Sequence, residues 1–132
     1  MAGTLYIVPT PIGNMGDMTP RAKEILESVD FVASEDTRVG GKLLMLLGIK
    51  KPLVSYHEHS SKPIAESIME RILSGENCAL ITDAGMPAIS DPGEDILRLC
   101  ADAGIAVSVI PGPSAAVSAL ALSALSTARF TF

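Results

Sequence analysis

The chain has 132 residues, with 10 Lys and Arg against 15 Asp and Glu, a formal net charge of -5 and a pI near 4.9. The length fits one domain, and 48% hydrophobic against 19% charged residues leaves ample material for a buried core and argues against disorder. Aromatic residues are only 4%, with no Trp, which argues against a base-stacking platform, and the acidic balance argues against this chain alone being the main grip on a nucleic acid.

The N-terminus, MAGTLYIVPTPIG, has no basic segment followed by a long apolar run and does not read as a signal peptide. A β-rich run at Leu5–Val8 leads into Pro9-Thr10-Pro11-Ile12-Gly13-Asn14-Met15-Gly16. Thr19-Pro20 offers a helix N-cap followed by Pro at the first helical position. Ala22, Ile25, Leu26 and Val29 then keep to one helical face. The next run, Phe31–Ser34, is followed by Glu35-Asp36-Thr37-Arg38. A helix is predicted from about Val39 to Leu47, closed by Gly48, although Gly40-Gly41 weakens its start.

A third strand is predicted at Leu53–Tyr56, ahead of His57-Glu58-His59. The third helix begins near Lys62-Pro63, buries Ile64, Ile68, Met69, Ile72 and Leu73, and ends at Gly75. The fourth strand, Ala79–Thr82, enters a long loop, Asp83-Ala84-Gly85-Met86-Pro87-Ala88-Ile89-Ser90. Asp91-Pro92-Gly93-Glu94 then resembles a capping box opening a fourth helix that ends before Gly104. The fifth strand, Ala106–Ile110, runs through Pro111-Gly112-Pro113 to a fifth helix starting at Ser114. The stretch AAVSALALSAL is too short and too interrupted by Ser to span a bilayer. Two Phe at the end of the chain, Phe130 and Phe132, suggest a domain cut from a longer protein. Cys78 and Cys100 show no CxxC spacing and read as buried apolar residues in a reducing compartment.

Five apolar strands alternating with five helices predict an α/β domain with a buried parallel sheet layered by helices. In such sheets ligands bind outside the carboxyl ends of the strands. Six of the nine prolines, Pro9, Pro11, Pro87, Pro92, Pro111 and Pro113, stand in the loops after strands one, four and five. Proline removes the N–H groups a phosphate cradle needs. These loops also hold no Lys or Arg, and neither GxGxxG nor GxxxxGK[ST] is present. They offer carbonyl oxygens, small side chains and carboxylates, which suit a neutral or cationic ligand. Singly, each loop reads as an ordinary strand–helix turn; together on one sheet edge they read as a ligand site.

The segments VPTPIGNMGDMTPRA, SEDTR, YHEHS, TDAGMPAISDPG and VIPGPSAAVSAL, in this order, resemble the tetrapyrrole methylase superfamily. The similarity is closest to its small-subunit rRNA (cytidine-2′-O)-methyltransferase I branch and covers nearly the whole chain. The resemblance implies a five-stranded, mainly parallel sheet of order 3-2-4-1-5, with residues 1–132 forming the N-terminal domain of a two-domain enzyme whose C-terminal domain lies beyond this chain. It implies S-adenosylmethionine as cofactor, held in a cleft between the domains, and an isolated domain that is inactive. The substrate implied is a cytidine ribose in small-subunit (16S) ribosomal RNA, the partner ribosomal RNA or the small subunit, and the full-length protein a cytoplasmic homodimer with no membrane association. Carried over by position, Gly85, Met86, Pro87, Ala88 and Ile89 correspond to one cofactor loop. Gly112, Pro113, Ser114 and Ala115 correspond to another, and the Pro9–Gly13 loop, with Thr10 and Gly13 as its site residues, to the first loop on the substrate side. Met86 stands where the porphyrin-ring enzymes carry Asp, which favours the RNA branch.

The polar clusters carry two readings each. Asp36 or Thr37 can cap a helix beside a solvated Arg38, or Asp36 and Arg38 can face RNA with Arg38 on a phosphate; the resemblance favours the second. His57-Glu58-His59 can be a polar loop, a substrate contact with His57 as base, or, with only two imidazoles in the chain, a poor metal site; no metal is expected. A ribose hydroxyl is a weak nucleophile, so a base near it assists, and Asp36, His57 and Asp83 are the candidates. The rival functions are a porphyrinoid methylase, a non-catalytic ligand-binding module and an H-x-H metal hydrolase.

Overall fold

The structure is a computed structural model describing residues 1–56, 62–90 and 92–132. His57, Glu58, His59 and Asp91, named above, lie outside the described residues. Among the described residues five strands alternate with five α-helices: β1 (Thr4–Ile7), α1 (Pro20–Ser28), β2 (Phe31–Ser34), α2 (Thr37–Leu46), β3 (Leu53–Ser55), α3 (Lys62–Leu73), β4 (Cys78–Ile81), α4 (Glu94–Asp102), β5 (Ala106–Val109) and α5 (Ala115–Leu122). Each strand falls within one residue of the run expected from β-rich sequence.

The sheet has the order β3-β2-β4-β1-β5, and every neighbouring pair is parallel. Its two faces are sorted by the alternation of side chains along each strand. Leu5, Phe31, Ala33, Cys78 and Leu80 point to one face, where Ala65, Ile68 and Ile72 of α3 and Ile96 and Cys100 of α4 cover them. Val32, Ala79 and Ile81 point to the other, under Ala22 and Leu26 of α1 and Leu44 of α2. Both β2 and β4 are buried along their full length, which explains their uninterrupted apolar sequences. Each wholly buried Leu, Ile or Phe contributes about 1.5–3 kcal/mol, and Leu5, Leu26, Phe31, Ile72 and Ile96 all have no exposed surface.

Three local expectations are corrected. Helix α2 starts at Thr37 rather than Val39, because Asp36 caps it by accepting from the Arg38 N–H at 2.9 Å. Its Gly40 does not weaken it; the helix lies so close to the sheet that a Cβ there would stand 2.5 Å from Ser34 Oγ. Helix α4 opens after Gly93, at φ 123°, a conformation that favours glycine; the Asp91 expected to cap it lies outside the described residues. Helix α5 buries none of its residues, and Val107 and Val109 of β5 are 41% and 52% exposed, so this edge lacks the cover expected of a buried strand. No helix among the described residues is long and apolar enough to cross a membrane.

Candidate active site at the carboxyl edge of the sheet

Strand order and helix placement together open two crevices. Strand β4 sends its helix to one face of the sheet, whereas its neighbours β1 and β2 send α1 and α2 to the other. Chains that leave adjacent strands in opposite directions part at the carboxyl ends, and ligands bind in the gap. One crevice lies between the loops after β1, β4 and β5. The second lies between the ends of β2 and β4.

The first crevice is held by backbone pairing. Thr10 and Gly85 exchange two N–H···O bonds of 3.0 Å. The Thr10 hydroxyl, in a residue only 2% exposed, donates to the Thr82 carbonyl at 3.4 Å. Thr10 is thus a strut between two loops. A Cβ on Gly112 would stand 2.4 Å from Pro9 Cγ, and one on Gly85 would stand 3.2 Å from Ile12 Cγ2 and 3.7 Å from the Pro113 carbonyl oxygen. The absence of side chains at these two positions is what lets the three loops meet. Ala88 and Ser90 hold positive φ angles of 67° and 52°, a strained backbone of the kind that gathers at functional loops.

The loops enclose a groove of about 360 Å³ lined by Ile12, Ala84, Gly85, Met86, Ile89, Ser114, Ala115, Ala116 and Phe132. A second hollow of about 340 Å³ adjoins it at Ile12 and carries Gly112, Pro113, Asp17, Thr19 and Ser118. Both volumes fall at the lower end of small-molecule sites, about 300–1,000 Å³. Of the residues carried over from the family, Gly85, Met86, Ile89, Ser114 and Ala115 line the groove and Gly112 and Pro113 the adjoining hollow. Thr10 and Pro87 are buried beneath, Ala88 is half-buried in the strained turn, and Gly13 is exposed and lines neither. Ile12, inside the Pro9–Gly13 loop carried over from the family, touches both hollows. Sequence reasoning missed Ala116 and Ser118, one and three residues past the Ala115 wall. The Ser114 side chain makes no capping bond, leaving its hydroxyl and the first N–H groups of α5 open.

The second crevice, of about 390 Å³, is lined by Glu35, Asp36, Thr37, Arg38, Ser55 and Asp83. Arg38 forks onto Asp36 through Nε at 3.2 Å and Nη2 at 2.9 Å, while its side chain stays 90% exposed. The hydrogen bond from the Arg38 side chain, with the Arg38 backbone N–H, holds the Asp36 carboxyl below the usual carboxylate range. Asp83 is shifted the other way: partial burial, and then the charge of Glu35, push its carboxyl up. The carboxylates expected to share one role are thus distinguished by their surroundings. Among the described residues no three of His, Cys, Asp and Glu are grouped to hold a metal ion.

A family model described as tetrapyrrole (corrin/porphyrin) methylases matches residues 4–131. The chain is 51% identical over 130 residues to a ribosomal RNA small subunit methyltransferase I of Xylella fastidiosa, covering 98% of this chain and 48% of that protein. It is 49% identical over 130 residues to the protein of the same name from Synechocystis, covering 98% and 47%. The chain spans about half the length of the curated relatives it matches. Among solved structures, a uroporphyrin-III-C-methyltransferase from Thermus thermophilus superposes with a TM-score of 0.72 at 26% identity, over 98% of this chain and 56% of that one.

Proposed function

Because the chain belongs to the tetrapyrrole (corrin/porphyrin) methylase family, we propose that it forms the cofactor-binding half of an S-adenosylmethionine-dependent enzyme that methylates a ribose 2′-hydroxyl of cytidine in small-subunit ribosomal RNA. The observation that carries this reading is the pair of crevices flanking the end of β4, one small-walled and free of Lys and Arg, the other polar with an exposed arginine. Relatives about half identical to the chain bear the name of a small-subunit rRNA methyltransferase.

The donor chemistry of the first groove fits S-adenosylmethionine. Gly85, Ala115 and Ala116 admit a ligand close to the backbone, and Ile12, Met86 and Ile89 supply apolar walls. The open N–H groups of α5 and the Ser114 hydroxyl suit a carboxylate. Among the described residues no cationic side chain lines the groove to repel a sulfonium. The cofactor, when bound, supplies an electrophilic methyl group on sulfur. The chain's part is to fix the acceptor oxygen and to take its proton. Asp83 suits the second task, because its raised proton affinity lies closer to the working pH than that of Asp36, and an effective base needs that match. Asp36 is occupied as helix cap and as partner of Arg38. In this reading Asp36 acts by orienting Arg38, whose remaining N–H donors face solvent and an RNA phosphate. Holding oxygen and methyl at attack distance supplies much of the acceleration.

The rest of the full-length protein supplies the second wall of the cleft and, given the acidic balance here, most of the basic surface for RNA. The exposed apolar surface of α5 and the segment after it, with Leu122 and Leu125 at 87% and 72% exposure, supports burial against further protein, either that second domain or the partner of a cytoplasmic homodimer. The test is methyl transfer by the full-length protein from labelled S-adenosylmethionine to small ribosomal subunits and to free rRNA, with the site mapped by nuclease digestion and mass spectrometry. A methyl on one cytidine ribose is expected. Label on a base, or on a porphyrinoid but never on RNA, would refute the proposal.

A further inference from the structure

We propose that Glu35 is a positioning residue that locks the end of β4 between the two crevices, and so presents Asp83 to the acceptor hydroxyl while holding the cofactor loop in register. The inference rests on the reading of Asp83 as the base. Glu35 leaves β2 and reaches across to β4. Its Oε2 accepts from Thr82 Oγ1 at 2.7 Å and from the Asp83 N–H at 3.2 Å. The Thr82 carbonyl in turn accepts the Thr10 hydroxyl, and Thr10 is bonded on both sides of its peptide to Gly85. One unbroken chain of hydrogen bonds thus runs from Glu35 through Thr82 and Thr10 to the cofactor groove. Thr82 is 6% exposed, so its hydroxyl has little recourse to water if the carboxylate is removed.

A carboxylate also does what a neutral acceptor there would not. It adds negative charge beside Asp83, whose other charged neighbours among the described residues are Asp36, which works in the same direction, and Arg38, which opposes it, as does the Asp36 backbone N–H. Ser55, at the end of β3, lines the same crevice and is uncharged; residues 57–61 follow it outside the described chain. Removing the Glu35 charge while keeping the acceptor therefore favours the ionised form of Asp83.

The test uses the full-length protein with Glu35→Gln and Glu35→Ala. The Gln amide oxygen can accept both bonds, so Glu35→Gln is expected to retain kcat within a few-fold at neutral pH and to shift the acid limb of its pH–rate profile to lower pH. Glu35→Ala is expected to lose on the order of 10²-fold in kcat, the scale of a misplaced reacting group, with KM for the ribosomal subunit little changed. Carbon-13 titration of the Asp83 carboxyl, which needs no turnover, is expected to show a lower pKa in Glu35→Gln. If circular dichroism shows Glu35→Ala unfolded, Glu35→Gln alone decides. An unshifted Asp83 titration in Glu35→Gln, or wild-type kcat in a folded Glu35→Ala, overturns the proposal. A wild-type protein that transfers no methyl to RNA, or an Asp83→Asn variant with full turnover, instead overturns the reading it rests on, and the titration still reports whether Glu35 acts on Asp83.

Discussion

Gly112→Ala isolates the contact that draws together the loops around the proposed cofactor groove. Gly112 is not in a left-handed conformation, so the cost of a side chain there is steric alone: the new methyl would stand 2.4 Å from Pro9 Cγ and 3.1 Å from Pro9 Cβ. The proline ring cannot swing aside like the end of a long side chain, so the loop after β1 must move as backbone. Overpacking of this kind costs about 1–3 kcal/mol. That displacement acts on the loop whose next residue, Thr10, is bonded to Gly85, so it should also reach the groove wall. We expect the full-length variant to bind S-adenosylmethionine at least about tenfold more weakly, equivalent to ~1.4 kcal/mol, by isothermal titration, with a lower melting temperature. Gly48→Ala is the control. Gly48 follows α2 at φ 71° with nothing within 4 Å of a Cβ, so alanine there carries only backbone strain of about 1–2 kcal/mol and should leave cofactor affinity unchanged. If Gly112→Ala binds cofactor as wild type does, or if both variants lose affinity in proportion to lost stability, the idea that loop contact shapes the groove is wrong.

Arg38→Ala should weaken RNA binding and reduce the slope of log affinity against log salt by about 0.7–0.9, one phosphate contact, leaving cofactor affinity unchanged; lost cofactor binding with intact RNA binding would refute this. Burial pushes the Cys78 thiol up to about 12 and the Cys100 thiol up to about 11, so both should resist iodoacetamide at pH 8 in the folded protein and react once it is unfolded, as followed by mass spectrometry; rapid native labelling of either would contradict their packing. The 132-residue chain alone should fold on its two-faced core, shown by cooperative melting, yet transfer no methyl under conditions where the full-length protein does. Comparable turnover by both would show the second wall of the cleft to be dispensable.

Much of the fold was legible along the chain. The apolar runs at Phe31–Ser34 and Ala79–Thr82 mark strands, which the structure sets at Phe31–Ser34 and Cys78–Ile81 and buries along their full length, and Thr19-Pro20 marks a helix start that the structure keeps. These signals are local, set by the periodicity of burial and by the geometry of proline and capping side chains. The proline-rich loops without cations were legible too, and the structure brings them together at one edge of the sheet. The order of the strands came from resemblance to a family, because periodicity says which residues face inward but not which strands are neighbours. The consequences of that order could be seen only in three dimensions. Glu35 and Thr82 are 47 residues apart and meet because β2 lies beside β4. Thr10 and Gly85 pair because β1 lies on the other side. Gly40 looked like a flaw in a helix and is where that helix touches the sheet. Asp36 and Asp83 are chemically identical in sequence, where they stand with His57 as unranked candidate bases. Tertiary structure separates them, because a carboxylate's proton affinity depends on the charges, donors and water around it, and those neighbours are assembled only when the chain closes.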